Sequence, residues 1–330
     1  MANGESIDPP YPLIAEELLG GRVVPFLGAG VNLGGRDPTA RPWPDAGLDF
    51  LPSGGELSRD LARVCKYPSE AEHDRTNLAK VASFFVETGG RPTLRSRLHR
   101  VFARDYVPLP IHEYLAEVAA VRPLLVVTTN YDDLLERAFV ARGCRFDLVI
   151  HPTDREDVGA SVLWRPHGAT EVRPEPPNSL SIDFKTTSAI YKIHGSVWRA
   201  AGPDPDSTTE AGDQDQYVIT EEDYVDFLYR MAAQGVVPAS FIKHFRNRHF
   251  LFLGHGLADW NLRVILRNLR AGRPSTGSGV GDVPSWAIQF RPSALERELW
   301  QARNVKIYDQ EINRFATGLR EALPVKRSAP

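Results

Sequence analysis

Short apolar segments of strand length alternate with helical patterns along most of the chain. The clearest strand candidates are RVVPFL at 22–27, LLVVTT at 124–129 and FDLVI at 146–150. Further strand-length segments lie at 189–193, 248–253, 285–290 and 304–308. This alternation is typical of α/β proteins, in which helices connect the strands of a parallel sheet. We therefore predict an α/β, Rossmann-like fold with a mostly parallel sheet and helices on both faces.

The regions that break this alternation are predicted to be insertions. Residues from about 44 to 120 contain helical patterns and no convincing strand, which predicts a helical insertion after the first strand. Proline-rich and polar stretches predict irregular insertions at about 152–188 and 199–216. Pro25 lies inside the first strand, and proline donates no hydrogen bond to a sheet, so we expect that strand to begin late or to lie near an edge. The whole chain, 1–330, is predicted to form one domain.

The charge balance and the cysteine count argue against several classes of function. The chain has 39 Lys and Arg residues and 42 Asp and Glu residues, a formal net charge of −3, so direct binding to nucleic acid or to an anionic membrane is not expected. No apolar run approaches the roughly 20 residues of a membrane-spanning helix, and the first residues do not resemble a signal peptide. We therefore expect a cytoplasmic protein. Cys65 and Cys144 are the only cysteines, too few for a four-thiolate zinc site, and no metal centre is expected.

Four segments rich in glycine or polar residues each follow a predicted strand. They begin at Gly28 (GAGVN), Thr128 (TTNYD), His194 (HGS) and Gly254 (GHG). Ligands of open α/β sheets bind at the carboxyl ends of the strands, and glycine lets the backbone approach a phosphate closely. An imidazole can accept a proton near neutral pH. The four segments are therefore expected to meet at one edge of the sheet.

Each of these segments also has an explanation that needs no ligand, and the residues alone leave it open. GAG is compatible with a tight strand-to-helix turn, and it lacks the third glycine of the full dinucleotide-binding fingerprint. Asp132 or Asp133 could stabilise the start of a helix, as Asp259 is expected to do for a helix predicted at 259–271. A single histidine at a strand end, such as His194, is often structural.

Taken together and in this order, the four motifs resemble those of the sirtuin-like family of NAD-consuming enzymes, and in particular its branch in bacterial anti-phage defence. GAGVN is similar to the family's GAG-x-S loop, TTNYD to its T-x-N-x-D motif and KIHGS to its catalytic HG motif. FLGHGLADWN resembles a later segment, G-x-S/G-L-x-D-x-N, of the defence branch. The resemblance extends from about residue 20 to 270.

The resemblance implies a role for each motif, with NAD as the substrate. His194 would be the general base, and Asn130 would position the ribose or the attacking water. Asp132 would contact the nicotinamide carboxamide, and the loop at 28–30 would lie against the diphosphate and the nicotinamide ribose. The residues implied to bind NAD are Gly28, Ala29, Gly30, Asn32, Thr129, Asp132, Gly254 and His255.

Departures from the family pattern narrow the expected reaction. The four-cysteine zinc ribbon of the deacylase sirtuins is missing, and residues 33–43 read LGGRDPTARPW in place of their G-I-P-D-F-R stretch. Asn32 stands where the family usually has serine. The missing zinc ribbon and the missing G-I-P-D-F-R stretch favour hydrolysis of NAD to nicotinamide and ADP-ribose, without zinc, over deacylation. Two alternatives stay open: a non-catalytic NAD- or ADP-ribose-binding subunit, and a protein deacylase or ADP-ribosyltransferase.

The resemblance also implies regulation, because an NADase that is always active would be toxic. Effectors of this type are activated by another component, such as a HerA-type ATPase or an Argonaute. We therefore expect homo-oligomers and a separate partner protein.

Overall fold

The computed structural model describes residues 8–34, 36, 43, 49–153, 160–198, 215–233, 235–256 and 284–324. The helices are α1 (Tyr11–Leu19), α2 (Gly54–Val64), α3 (Glu72–Arg75), α4 (Leu78–Gly89), α5 (Arg91–Phe102), α6 (Pro110–Val121), α7 (Leu134–Ala141), α8 (Glu221–Ala233), α9 (Ala239–Asn247), α10 (Ala294–Gln301) and α11 (Ile312–Ala322). The strands are β1 (Val23–Leu27), β2 (Leu125–Thr128), β3 (Phe146–Ile150), β4 (Val162–Arg165), β5 (Arg173–Glu175), β6 (Ser188–Lys192), β7 (Gly195–Ser196), β8 (Gln216–Tyr217), β9 (His249–Leu253), β10 (Ser285–Gln289) and β11 (Val305–Asp309). Within these ranges, no helix has both the length and the apolar character that a membrane span requires.

Nine of the described strands form one sheet, in the order β11-β10-β9-β1-β2-β6-β3-β4-β5. Neighbouring strands from β11 to β3 are parallel, and only the pairs that involve β4 are antiparallel. Each strand predicted from the sequence is present, and its ends lie within one residue of the expected bounds. The predicted mostly parallel α/β sheet is therefore confirmed.

Alternating residues of the buried strands face two different layers of helices. In β1, Val23 and Leu27 pack in a core cluster that includes residues of α1, α6, α7 and α11. Val24 and Phe26 pack in a second cluster with residues of α8, α9 and α10. Successive side chains of a strand point to opposite faces, so a continuous apolar run is buried on both sides. The prediction of helices on both faces is confirmed.

The expectation that β1 begins late or lies near an edge because of Pro25 is wrong. β1 lies between β9 and β2, and its ladder with β9 runs from Val23 to Leu27. The ladder with β2 begins only at Phe26, which pairs with Val127. The Gly28 amide donates to β9 and the Leu27 carbonyl accepts from the β2 side, so by alternation the Pro25 nitrogen faces β2 ahead of that ladder. The missing N–H therefore leaves the ladder with β9 complete, and the ladder with β2 begins only after Pro25.

The segment predicted to be irregular at about 152–188 instead contains β4 and β5, which extend the sheet at one edge. The indole N–H of Trp164 in β4 donates to Asp147 Oδ2 over 2.9 Å and attaches this strand to β3. Pro174 lies in the outermost strand, where a residue without an N–H is tolerated. Strands this short have no readable alternation, which is why the pattern does not reveal them.

The described part of 44–120 is helical and contains α2 to α6 without a strand. Apolar residues of α2, α4 and α5 form a cluster of their own, and this cluster also includes Tyr131, Leu134 and Val197 from segments that follow sheet strands. The packing places these helices beside the carboxyl ends of the strands. The predicted helix at 259–271 with Asp259, and residues 199–214 of the predicted insertion at 199–216, lie outside the described residues.

Replacing Phe26 by alanine tests the centre of the second core cluster. Phe26 is 0% exposed and its ring lies 5.7 Å from that of Phe252. Removal of a buried phenyl ring costs about 3–5 kcal/mol of unfolding free energy. We expect that loss in urea denaturation of Phe26→Ala. The control is Phe290→Ala, at a ring that is 63% exposed, and it should stay within about 0.5 kcal/mol of wild type. Equal losses in the two variants would contradict the assigned core.

Candidate active site

The four predicted motifs follow strands that are direct neighbours in the sheet, in the order β9-β1-β2-β6. All of these pairs are parallel, so the four strands end at the same edge. A cavity of about 560 Å³ opens there, within the size range of small-molecule sites. The chain leaves β1 towards β2 on one side and later adds β9 on the other, which is the reversal of strand order where ligands of such sheets bind.

The structure brings the sequence-predicted site residues together around this cavity. Those that line it are Ala29, Gly30, Asn32, Thr129, Asn130, Asp132, His194, Gly254 and His255. Gly28 lies directly behind the wall, where its carbonyl oxygen accepts a hydrogen bond from Asn130 Nδ2 over 3.3 Å. Segments that are far apart in sequence thus form one continuous surface.

Glycines join the loops that follow β1 and β9 by direct backbone contact. The Gly30 amide donates to the Gly254 carbonyl over 2.9 Å, and the Gly28 amide donates to the Leu253 carbonyl over 2.9 Å. Gly254 has a φ of +67°, and a Cβ there would overlap the amide nitrogen of Val31. Side chains are excluded from this contact. The amides of the GAG loop are therefore largely used to hold the two strand ends together.

Asn130 is held so that its carbonyl oxygen is left for a ligand. Its backbone amide donates to Thr128 Oγ1 over 3.0 Å, and the next-door Thr129 amide donates to the Leu27 carbonyl over 3.0 Å. The side-chain NH₂ is directed at the Gly28 carbonyl, which fixes the orientation of the amide. Asn130 Oδ1 is buried and has no hydrogen-bond partner among the described residues.

Asp132 and Asn32 link the motif after β2 to the motif after β1. Asn32 Nδ2 donates to Asp132 Oδ2 over 2.8 Å, while Asp132 Oδ1 accepts from the Leu134 amide over 3.2 Å at the start of α7. Asp132 thus stabilises a helix start and also lines the cavity. Burial raises the pKa of the Asp132 carboxyl group. Asn32 Oδ1 is left buried without a partner within the described ranges.

His194 follows the end of β6. After it, the chain continues through Gly195 into the short strand β7, which pairs with β8. Gly195 has a φ of +92°, and a Cβ there would overlap the Gln216 carbonyl oxygen of the β7–β8 pair, so only glycine fits. The His194 ring packs edge-on against Tyr224, with centroids 5.3 Å apart, and against Phe227 at 5.4 Å. Burial, with a smaller contribution from His255, lowers the pKa of His194 to about 3. Its Nε2 has no partner among the residues described.

His255 provides a second neutral imidazole in the lining of the same cavity. Its ring lies 5.0 Å from that of Phe26, and burial lowers the pKa of His255 to about 4. His255 Nε2, like that of His194, is buried and has no partner in the described part of the chain. Neutral imidazole nitrogens can accept protons from a ligand.

The buried atoms without a hydrogen-bond partner indicate which kind of ligand the cavity can bind. Both asparagine NH₂ groups are already directed at protein acceptors, so their carbonyl oxygens are acceptors for a ligand. No lysine or arginine is among the described residues that line the cavity. Leaving a buried polar atom without a partner costs about 1–3 kcal/mol, and a ligand with several hydroxyl or amide donors would remove that cost. A ribose or a carboxamide has such donors.

Part of the cavity is formed by residues that the sequence analysis does not single out. These residues belong to the helical insertion and to α8: Pro52, Ser53, Gly54, Gly55, Leu57, Thr76, Leu78, Phe102 and Tyr224. They belong to no strand-end motif, and no local pattern distinguishes them from other helical residues. Among the described residues no group of three or more histidine, cysteine or acidic side chains is placed to hold a metal ion.

Comparisons with known proteins identify a matching family and several similar proteins. A family model described as a SIR2-like domain matches residues 124–308. The chain is 28% identical over 229 residues to the NAD(+) hydrolase ThsA of Acinetobacter baumannii (strain 532279), an alignment that covers 68% of this chain and 38% of that protein. It is 21% identical over 258 residues to Defense-associated sirtuin 2 of Bacillus subtilis, covering 78% of this chain and 20% of that protein.

The chain therefore spans less than half the length of these curated relatives. Among solved structures, a crystal structure of a SIR2 homolog–NAD complex aligns with 98% of this chain and 96% of that chain, with 15% identity and a TM-score of 0.42.

Replacing Gly254 by alanine tests the backbone contact that closes the cavity. Gly143 is the matched control, because its φ of +69° is similar but a Cβ there would meet nothing within 4 Å. We expect Gly143→Ala to lose about 1–2 kcal/mol of unfolding free energy from the left-handed backbone alone. Gly254→Ala should lose a further 1–3 kcal/mol, about the cost of overpacking, in urea denaturation. Similar losses in both variants would show that the contact between the loops tolerates a side chain.

Proposed function

The chain belongs to the SIR2-like family, and from this premise we propose that it hydrolyses NAD⁺ to nicotinamide and ADP-ribose in the cavity at the sheet edge. The observation that carries the proposal is the set of buried, unpartnered atoms on Asn32, Asn130, His194 and His255, all of which line one cavity. Their acceptor character suits the hydroxyl groups of a ribose and the amide of nicotinamide. The curated relatives named as an NAD(+) hydrolase and as a defense-associated sirtuin support the same reaction class.

In this proposal the substrate lies with its nicotinamide ribose between Asn130 and His194. Asn130 Oδ1 would accept from a ribose hydroxyl or from the attacking water, because its NH₂ is already held by Gly28. The loop at 28–30 would lie against the diphosphate, where its glycines allow close approach. Asp132, with its carboxylate held by Asn32, would face the nicotinamide side.

The chemistry requires the ring nitrogen of His194 to accept a proton. Loss of nicotinamide builds oxocarbenium-like charge at the ribose, as in glycoside cleavage. Water then attacks the anomeric carbon. The proton of this water passes to the neutral imidazole of His194, either directly or through a ribose hydroxyl. Burial keeps His194 neutral, and a well-placed general base contributes roughly 10²- to 10⁴-fold to the rate. The described lining residues include no cationic side chain that would repel the positively charged pyridinium ring.

We propose further that this reaction serves anti-phage defence, in which NAD⁺ depletion would halt an infected cell. The proposed setting is the cytoplasm, with a homo-oligomer gated by a partner protein such as a HerA-type ATPase or an Argonaute. The similarity to Defense-associated sirtuin 2 of Bacillus subtilis supports a role in defence.

The direct test is product analysis by chromatography after incubation with NAD⁺. We expect nicotinamide and ADP-ribose from the wild type, and a rate at least about 10²-fold lower in His194→Ala and Asn130→Ala, with NAD⁺ still bound in His194→Ala. His73→Ala is the matched control, because the His73 side chain is 84% exposed and should retain full activity. Unchanged turnover in His194→Ala would contradict the proposed base.

The same assay separates the alternatives. An acetylated peptide added to the reaction should not raise nicotinamide release, and release that depends on the peptide would indicate a deacylase. If the wild type binds NAD⁺ without product, the assay is repeated with the protein encoded by the neighbouring gene. Continued absence of product with that protein would favour a binding subunit.

The pH dependence of kcat/KM tests the state of His194. Its pKa is lowered from the ordinary 6.5 to about 3, so the base stays neutral well below pH 6. We expect kcat/KM to show no acid limb near pH 6.5 and to change less than about twofold from pH 7.5 to pH 5.5. A tenfold decline per pH unit below 6.5 would contradict a buried neutral base.

Folding must be monitored at each pH by intrinsic fluorescence. His112 and His151 also have pKa values lowered by burial, to about 4 and about 3. Since these histidines bind protons more readily in the unfolded chain, the stability present above about pH 6.5 is lost progressively as the pH falls below it.

A further inference from the structure

Lys192 is a fully buried cation that the proposed reaction does not use. It is the last residue of β6, two positions before His194, and it is 0% exposed. Its strand partners are Thr128 in β2 and Ile150 in β3. A lysine is almost never fully buried unless it is paired, because removing its charge from water is costly. Its position on the strand that precedes His194, next to the strand that precedes Asn130, therefore calls for an explanation.

The ammonium group of Lys192 is directed at the turn that presents Asn130 and Asp132. Nζ donates to the Tyr131 carbonyl over 3.2 Å, to the Asp132 carbonyl, and to Glu136 Oε1 over 2.8 Å. These three acceptors match the three N–H donors of the ammonium group. The two carbonyl groups belong to the residues that directly follow Asn130, in the segment between β2 and α7, where the β2 ladder has already ended.

Through this turn, Lys192 connects three of the motifs. It is the last residue of the strand that precedes His194, and its ammonium group donates to the backbone of Tyr131 and Asp132. Asp132 in turn accepts from Asn32 in the loop after β1. The relative position of the proposed base and the asparagine is thus held by this side chain together with the Val197 amide, which donates to the Tyr131 carbonyl over 2.9 Å.

A purely stabilising role does not account well for this arrangement. Buried ion pairs can often be replaced by apolar residues of similar volume without loss of stability. Glu136, the charged partner, lies on the first turn of α7 and does not line the cavity. The lysine is directed at backbone carbonyls that shape the site, so its geometry favours a positioning role.

We propose that Lys192 is a positioning residue, whose ammonium group fixes the Tyr131 and Asp132 carbonyls and thereby sets Asn130 and Asp132 against His194. The inference rests on the proposed hydrolysis for its kinetic consequence. Its structural consequence, an ordered turn after β2, is independent of that reaction.

The test is the double variant Lys192→Met/Glu136→Leu, which removes both charges and leaves apolar side chains in their place. Lys192→Met alone would leave Glu136 buried and unpaired, and could fail to fold. We expect the double variant to unfold cooperatively with a Tm only a few degrees below wild type, because the buried Asp132 carbonyl loses its donor. Its kcat for NAD⁺ should fall roughly 10- to 100-fold, as expected when reacting groups are displaced by about 1 Å. The Kd for NAD⁺ should change less than about threefold.

A second readout does not depend on turnover. We expect amide hydrogen exchange to become at least about tenfold faster at residues 130–134 in the double variant, with the rest of the sheet unchanged. Wild-type kcat together with wild-type exchange in the turn would overturn the positioning role, as would slowing of turnover that merely follows a general loss of stability. If the wild type releases no product even with the protein encoded by the neighbouring gene, the proposed hydrolysis fails and the exchange measurement alone decides the role of Lys192.

Discussion

The backbone contact between the loops after β1 and β9 is the constraint on which the site depends. The Gly30 amide reaches the Gly254 carbonyl directly, and a side chain at either position would collide with the opposite loop. Because the two strands are neighbours in register, this contact brings His255 and Asn32 into the lining of one cavity. The cavity therefore results from the order of the strands and from the absence of a Cβ atom at Gly30 and at Gly254. It does not depend on the polar residues that line it.

Burial then determines the chemistry that these walls can perform. The same desolvation that lowers the pKa values of His194 and His255 leaves their Nε2 atoms without partners, beside the unpartnered oxygens of Asn32 and Asn130. Each such atom lowers the stability of the folded chain. Selection for stability alone would favour hydrogen-bond partners for these atoms, or apolar residues in their place. Their presence around one cavity is best explained by a ligand that forms the missing hydrogen bonds.

The sequence predicts the sheet well because its strands are continuous apolar runs ended by glycine or polar residues, and such runs are buried on both faces in a parallel sheet. Pro25 is misread because its nitrogen faces β2 and leaves the ladder with β9 complete, and β2 lies about a hundred residues away in the sequence. β4 and β5 are missed because they are short and depend on contacts such as that of Trp164 with Asp147. The pairing of β1 with β2 and the contact between β4 and β3 are tertiary interactions, which a local sequence pattern does not reveal.

The same distinction divides the site into two halves. The half at the sheet edge consists of strand-end motifs, so the sequence order and the parallel topology together bring its residues into one place. The other half consists of the start of α2, Phe102 and Tyr224. α8, which carries Tyr224, is held by Arg91, which donates to Asp223 over 2.8 Å, and by the bond of Ser83 to Glu222, also 2.8 Å. Tyr224 therefore reaches His194 through contacts between the helical insertion and α8, and only the three-dimensional structure can reveal a wall that is built in this way.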